Sequence, residues 1–141
     1  MHIIVCVDDR LGMMFNHRRQ SRDSILREYI LNMTEGHKLW MNHYSVMQFK
    51  DDKNNNIVVD DDFMQLASHD DYCFVEDLDL SSYEDQIDSI TLCKWNRSYP
   101  GDLFFTINLS TWELVRSDEL VGSSDDLIEI EVYSNVQKQA I

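Results

Sequence analysis

Residues 2–7 (HIIVCV) form an unbroken apolar run closed by Asp8 and Asp9. That pattern predicts a strand buried on both faces with a polar exit. A loop is expected from residue 8 to residue 20. Ile25, Leu26, Tyr29, Ile30 and Met33 then recur at helical spacing, so a helix is expected over residues 22–33. Ser21 is read as its N-cap, with Asp23 in the first turn and Gly36 just past the end. Residues 38–42 read as a short strand, 43–49 as one or two helical turns, and 51–56 (DDKNNN) as a turn. A strand is expected at 57–59, a short helix carrying Phe63, Met64, Leu66 and Ala67 after it, and a strand at 72–75.

Residues 87–95 place Ile90 and Leu92 on one face and Cys93 and Trp95 on the other, which predicts a central strand. Strands at 103–109 and 112–116 are separated by a turn at Ser110 and Thr111. Residues 127–133 alternate, with Ile128, Ile130 and Val132 inward and Glu129 and Glu131 outward. The order starts β-α-β-α-β-α-β and finishes in consecutive strands. This is the pattern of a mostly parallel central sheet flanked by helices, with antiparallel C-terminal strands. At 141 residues, of which 43% are hydrophobic, one α/β domain over 1–141 with a single core is expected.

No apolar run approaches the roughly 20 residues of a membrane span, and the opening segment lacks the flanks of a signal peptide, so a cytoplasmic location is expected. Cys6, Cys73 and Cys93 are scattered in apolar runs and read as buried thiols. Trp40, Trp95 and Trp112 read as core or pocket wall. No metal-binding spacing of Cys and His, and no hydrolase signature, is present.

Charge changes the picture. The chain carries a formal −14, yet residues 1–49 hold six Lys/Arg against five Asp/Glu, and residues 50–141 hold six against 21. A body this acidic does not bind nucleic acid directly, because phosphate neutralisation needs a basic footprint. Nor does it suit an anionic membrane. It does suit a cationic protein groove. The candidate partner-binding carboxylates are Asp51, Asp52, Asp60, Asp61, Asp62, Asp70, Asp71, Glu76, Asp77, Glu84, Asp85, Asp125 and Asp126. No metal is expected among them. Asp60, Asp61, Asp62, Asp70 and Asp71 lack a ligand period, and capping and solvation account for them.

Against this background stands the cationic stretch RLGMMFNHRRQSR at residues 10–22. Arg18, Arg19, Ser21, Arg22 and Asp23 form a candidate anion or ligand site at a helix start. Guanidinium forks bind phosphate or carboxylate bidentately there. The alternative is that these arginines pair with the chain's own carboxylates, Asp8, Asp9 and Asp23 included. Asp23 reads either as a helix cap or as a general acid. His17 and His43 stand alone, outside any catalytic triad.

The sequence Val7-Asp8-Asp9-Arg10-Leu11-Gly12-Met13, the carboxylate Asp23 at the first helix, the segment KLWMNHYSVMQF with Met41, and Trp112 after a turn together resemble dihydrofolate reductase. The resemblance implies that fold, and a pterin-holding role for Asp23. It departs from the family at the cofactor. Glu76 and Asp77 stand where those enzymes carry a Gly-Gly pair, and Asn42-His43 stands for Gly-Arg. Two like charges about 4 Å apart repel by about 1 kcal/mol in water and more when buried, so no NADPH is expected to bind in the family's manner and no cofactor is assigned. The arginine loop replaces an apolar, proline-containing segment. The N-terminal segment is also similar to small proteins of Gram-positive bacteria and their mobile elements.

Three functions are therefore carried forward. The first is a non-enzymatic acidic protein of a phage or mobile element that occupies the basic groove of a host-defence nuclease, of the anti-CRISPR or anti-nuclease type. The second is a binder of a small anionic or nucleotide-derived ligand through Arg18, Arg19 and Arg22. The third is a diverged NADPH-dependent reductase.

Overall fold

The computed structural model describes residues 1–50, 56–124 and 126–139. Its strands and helices, in chain order, are β1 (His2–Val7), β2 (Gly12–Phe15), β3 (Arg18–Arg19), α1 (Ser24–Met33), β4 (Leu39–Met41), α2 (His43–Val46), β5 (Ile57–Val59), α3 (Phe63–Leu66), β6 (Tyr72–Phe74), β7 (Ser89–Lys94), β8 (Leu103–Phe104), β9 (Glu113–Leu120), β10 (Ile128–Ser134) and α4 (Val136–Gln139). Short 3₁₀ turns lie at Met47–Phe49, Ser81–Gln86 and Leu109–Thr111.

Seven strands form the central sheet in the order β5-β4-β6-β1-β7-β10-β9. From β5 to β7 every pairing is parallel, and β10 runs antiparallel to both β7 and β9. The expected mostly parallel sheet with an antiparallel C-terminal part is thus the architecture observed. β1 lies between β6 and β7 and is apolar on both faces for that reason. Ile3, Val5 and Val7 join one core with Trp40, Met64, Ile90, Leu92 and Trp112. Ile4 joins the other, with Phe74, Cys93, Trp95, Ile128 and Ile130. The helix α1 closes this second core with Leu26 and Ile30. The three tryptophans are all buried, and the three cysteines carry free thiols.

The structure corrects four local expectations. Residues 8–20 are not a loop: β2 and β3 form a ribbon, joined by a two-residue turn at Asn16 and His17 with φ of 52° and 62°. A tight hairpin of that hand matches strand twist and needs positive φ at both positions, and alternating apolar signal was too short to announce it. The strand expected at 103–109 shrinks to Leu103–Phe104 and pairs with β2 in a separate three-stranded sheet. Phe105 and Ile107 instead plug the core as isolated apolar anchors. Ser21 does not cap α1; Asp23 does, with its Oδ1 accepting the Ile25 and Leu26 N–H groups at 2.9 and 3.2 Å. β9 runs to Leu120, longer than expected, because it pairs along the whole of β10 with a bulge between Val132 and Tyr133. The turn expected at 51–56 lies, apart from Asn56, outside the described residues.

Candidate functional site at the carboxyl edge of the sheet

In an open parallel sheet, crevices form outside the carboxyl ends of strands, where connections part in opposite directions. Here the carboxyl ends of β1, β6 and β7 bring together Cys6, Phe74, Glu76 and Trp95. The start of α1 and the turn after α2 add Ser21, Asp23, Leu26, Arg27, Ile30 and Gln48 to form one cleft. Its volume is about 10 Å³, room for about one water.

The ribbon brings Arg19 onto Glu76 of the cleft wall. Its Nε and Nη2 donate to the Glu76 carboxylate at 2.8 and 3.1 Å, a bidentate pair. The guanidinium also stacks 4.4 Å from the centre of the Tyr44 ring, and the Arg19 N–H donates to the Tyr44 hydroxyl at 2.9 Å. Glu76 is only 7% exposed, so a buried carboxylate closes the cleft wall and one arginine neutralises it. Burial works against the Arg19 charge, but the hydrogen bonds and field of Glu76 outweigh it and raise the guanidinium pKa further. The Cys6 thiol is pushed well up, by the Cys93 thiol beside it first and by burial second.

Of the five proposed ligand residues, the cleft gathers Ser21 and Asp23, and Arg19 meets it only through Glu76, a residue of its wall. Arg18 points away from Arg19 because neighbours on a strand alternate, and both Arg18 and Arg22 are exposed. Arg19 does pair with a carboxylate of its own chain, but that partner is Glu76, 57 positions away, and not Asp8, Asp9 or Asp23. Asp23 is 1% exposed and fully engaged: besides capping α1 it accepts the Ser124 N–H at 2.7 Å through Oδ2. Asp8 is likewise internal. It accepts N–H groups from Gly12, Arg10 and Tyr99 at 2.7, 3.0 and 2.9 Å. A Cβ at position 12 would sit 2.7 Å from the Gln20 Nε2 and 3.0 Å from the Asp8 carboxylate, so a larger residue there would have to displace the Gln20 amide and crowd Asp8.

The carboxylates proposed for a partner do not share one face. Asp60, Asp61, Asp62, Asp77 and Asp126 follow or precede strands at the carboxyl edge, whereas Asp70, Asp71, Glu84 and Asp85 precede β6 and β7 at the opposite edge. Glu76 and Asp71 are buried and spoken for, Asp71 by the Trp40 Nε1–H and the Ser68 N–H at 2.9 and 2.8 Å. Asp126 lies 3.5 Å from Arg97. Asp51, Asp52 and Asp125 fall outside the described residues. The remaining strip is continuous: β4 lies between β5 and β6, so Asp60, Asp61 and Asp62 adjoin Asn42 and His43, which adjoin Asp77. Asn42 ties it together, donating to Asp77 at 2.9 and 3.1 Å while capping α2 through Oδ1. His43 meets Asp61 at 3.0 Å. Among the described residues, no group of three or more His, Cys, Asp and Glu side chains converges as a metal site, and no helix is long and apolar enough to cross a membrane.

Asp8 and Asp71 give the chain an acid limit. Burial would raise both carboxyls, but their N–H donors (Tyr99, Gly12 and Arg10 for Asp8; Ser68 and Trp40 for Asp71) outweigh it and hold both below the ordinary range. A carboxyl depressed by folding stabilises the folded state above its unfolded pKa of about 3.9, and that contribution disappears as pH falls through the lower folded value. Urea melts from pH 6 to 2 are expected to show stability dropping below about pH 4. In Asp8→Asn the drop should be smaller; an equal drop would remove Asp8 from the cause.

No protein-family model matches the chain, and no curated protein matches it. Among solved structures, a dihydrofolate reductase from Enterococcus faecalis complexed with NADP(H) and RAB-propyl superposes with a TM-score of 0.65 at 12% identity, covering 94% of each chain. The protein has a dihydrofolate reductase-like fold.

Proposed function

We propose that this chain is a non-enzymatic acidic binding protein that uses the strip formed by Asp60, Asp61, Asp62 and Asp77 to enter a cationic groove of a nucleic-acid-binding protein. The single observation behind this reading is the contrast between strip and cleft. Asp61 and Asp62 are exposed, Asp60 and Asp77 are half-buried, and none of the four is ion-paired to Lys or Arg among the described residues. The cleft beside them has Glu76, already bound by Arg19, in its wall and has room for about one water. Uncompensated surface charge steers association with a basic partner and makes it salt-sensitive. A defence nuclease whose groove holds nucleic acid, such as a CRISPR effector, fits this chemistry, and a protein of a phage or mobile element is the natural source of such a competitor.

The test is competition between this protein and DNA for a purified CRISPR effector nuclease. Binding is expected at low ionic strength, weakening steeply with salt. The Asp60→Asn, Asp61→Asn, Asp62→Asn triple variant should associate about tenfold more slowly or worse. No displacement of DNA at low salt overturns the reading. The diverged-reductase alternative has the fold in its favour, and steady oxidation of NADPH by the wild-type protein with a dihydropterin substrate would establish it instead.

A further inference from the structure

We propose that β9 is the pairing edge of a symmetric homodimer, in which Glu113–Leu120 of one copy adds antiparallel to the same strand of a second copy about a two-fold axis through Ser117. β9 is the last strand of the seven-stranded sheet, with only β10 beside it. It is eight residues long, and its first five residues are exposed, Leu114 and Val115 by 50% and 54%. No inter-element backbone hydrogen bond among the described residues reaches it from the outer side. Long exposed edges with apolar side chains are templates for another strand, and natural chains ordinarily blunt them with lysine, proline or brevity. β9 has no lysine and no proline, and the charges it does carry are Glu113, Arg116, Asp118 and Glu119. Its one irregularity, the extra residue Val115 opposite the Val132–Tyr133 step, lies near one end.

The charges on the strand select both the occupant and the register. A two-fold axis that continues one sheet into another stands normal to it, so each residue faces one an even number of positions away. Three central registers satisfy this. Centred on Arg116, two guanidiniums oppose each other; centred on Asp118, two carboxylates do. Like charges directly opposite are destabilising. Centred on Ser117, Arg116 faces Asp118 of the partner subunit twice over. The charged pair is already held in place: Arg116 Nε donates to Asp118 Oδ2 at 2.9 Å, and the Tyr29 hydroxyl donates to the same oxygen at 2.7 Å. A second copy therefore supplies the complement of both Arg116 and Asp118, while Glu113 and Glu119 face uncharged residues.

This inference stands apart from the acidic strip, and salt separates the two. Each copy carries −14, so dimerisation strengthens as ionic strength rises, whereas capture of a cationic groove weakens. Sedimentation equilibrium of the full chain should show a monomer–dimer equilibrium. Arg116→Asp, at an exposed position, should raise the dissociation constant at least about tenfold by setting two carboxylate pairs across the axis. Ser117→Cys should form a disulfide-linked dimer with oxidised glutathione, because the residue on the axis faces itself, while Glu113→Cys should not. A wild-type chain that is monomeric at every concentration, an Arg116→Asp variant that dimerises as wild type does, or equal cross-linking of the two cysteine variants overturns the proposal.

Discussion

Arg19→Ala is expected to lower the unfolding free energy by about 3–5 kcal/mol, the largest effect of any single change discussed here. The reason is what remains behind. Glu76 is buried beneath the ribbon, and its two oxygens receive Nε–H and Nη2–H of Arg19. Removing the guanidinium strands a carboxylate that water reaches poorly and also takes away the cation stacked on Tyr44. The pair itself has little net worth, because desolvating two charges consumes most of their attraction. The double variant Arg19→Met, Glu76→Leu should therefore recover most of the loss, to within about 1–2 kcal/mol of wild type. Urea denaturation at pH 7 of Arg19→Met alone, Glu76→Leu alone and the double variant measures this as a cycle. Additive losses would mean that the two side chains do not depend on one another.

Asp23→Ala should cost about 2–4 kcal/mol. Losing an N-cap costs about 0.5–2 kcal/mol, and a buried N–H left without an acceptor costs about 1–3 more. Both losses occur together here, since Oδ1 serves Ile25 and Leu26 and Oδ2 serves Ser124. Asp23→Asn separates them: its amide oxygen keeps the cap, while its NH₂ group meets the Ser124 N–H donor. Thermal melts should rank the proteins wild type, Asn, Ala in falling order. Hydrogen exchange at the Ser124 amide should rise in both variants, and protection of the α1 amides should fall only in Ala. If α1 loosens equally in both, the carboxylate's bond to Ser124 is what holds the helix.

The strands that bury both faces were legible because their signal is local. β1 and β7 are short apolar runs with polar ends, and the partition of Ile90 and Leu92 from Cys93 and Trp95 is the one the two cores show. α1 was legible from its repeat of apolar positions. The ribbon of β2 and β3 was not, because two- and four-residue strands carry too few alternations to stand out from a loop, and positive φ at Asn16 and His17 leaves little trace in composition. The same failure hid the site. With residues 18 and 19 on a strand, only one of the two arginines can turn inward; with both in a loop, they looked equivalent.

The sequence by itself determined the α/β class, the succession along the chain of the strands that form the central sheet, the burial of all three tryptophans and the charge imbalance, since each depends on residue type and spacing along a few positions. Tertiary structure alone decided which charges are spent inside and which stay outside. Arg19 and Glu76 are 57 residues apart, as Asp23 and Ser124 are 101 apart, and only the sheet order brings them within hydrogen-bonding distance. Nothing local distinguishes Glu76, buried under an arginine, from Asp61 or Asp62 in open water. Burial is a property of the neighbours that folding supplies, and a carboxylate's role follows its burial.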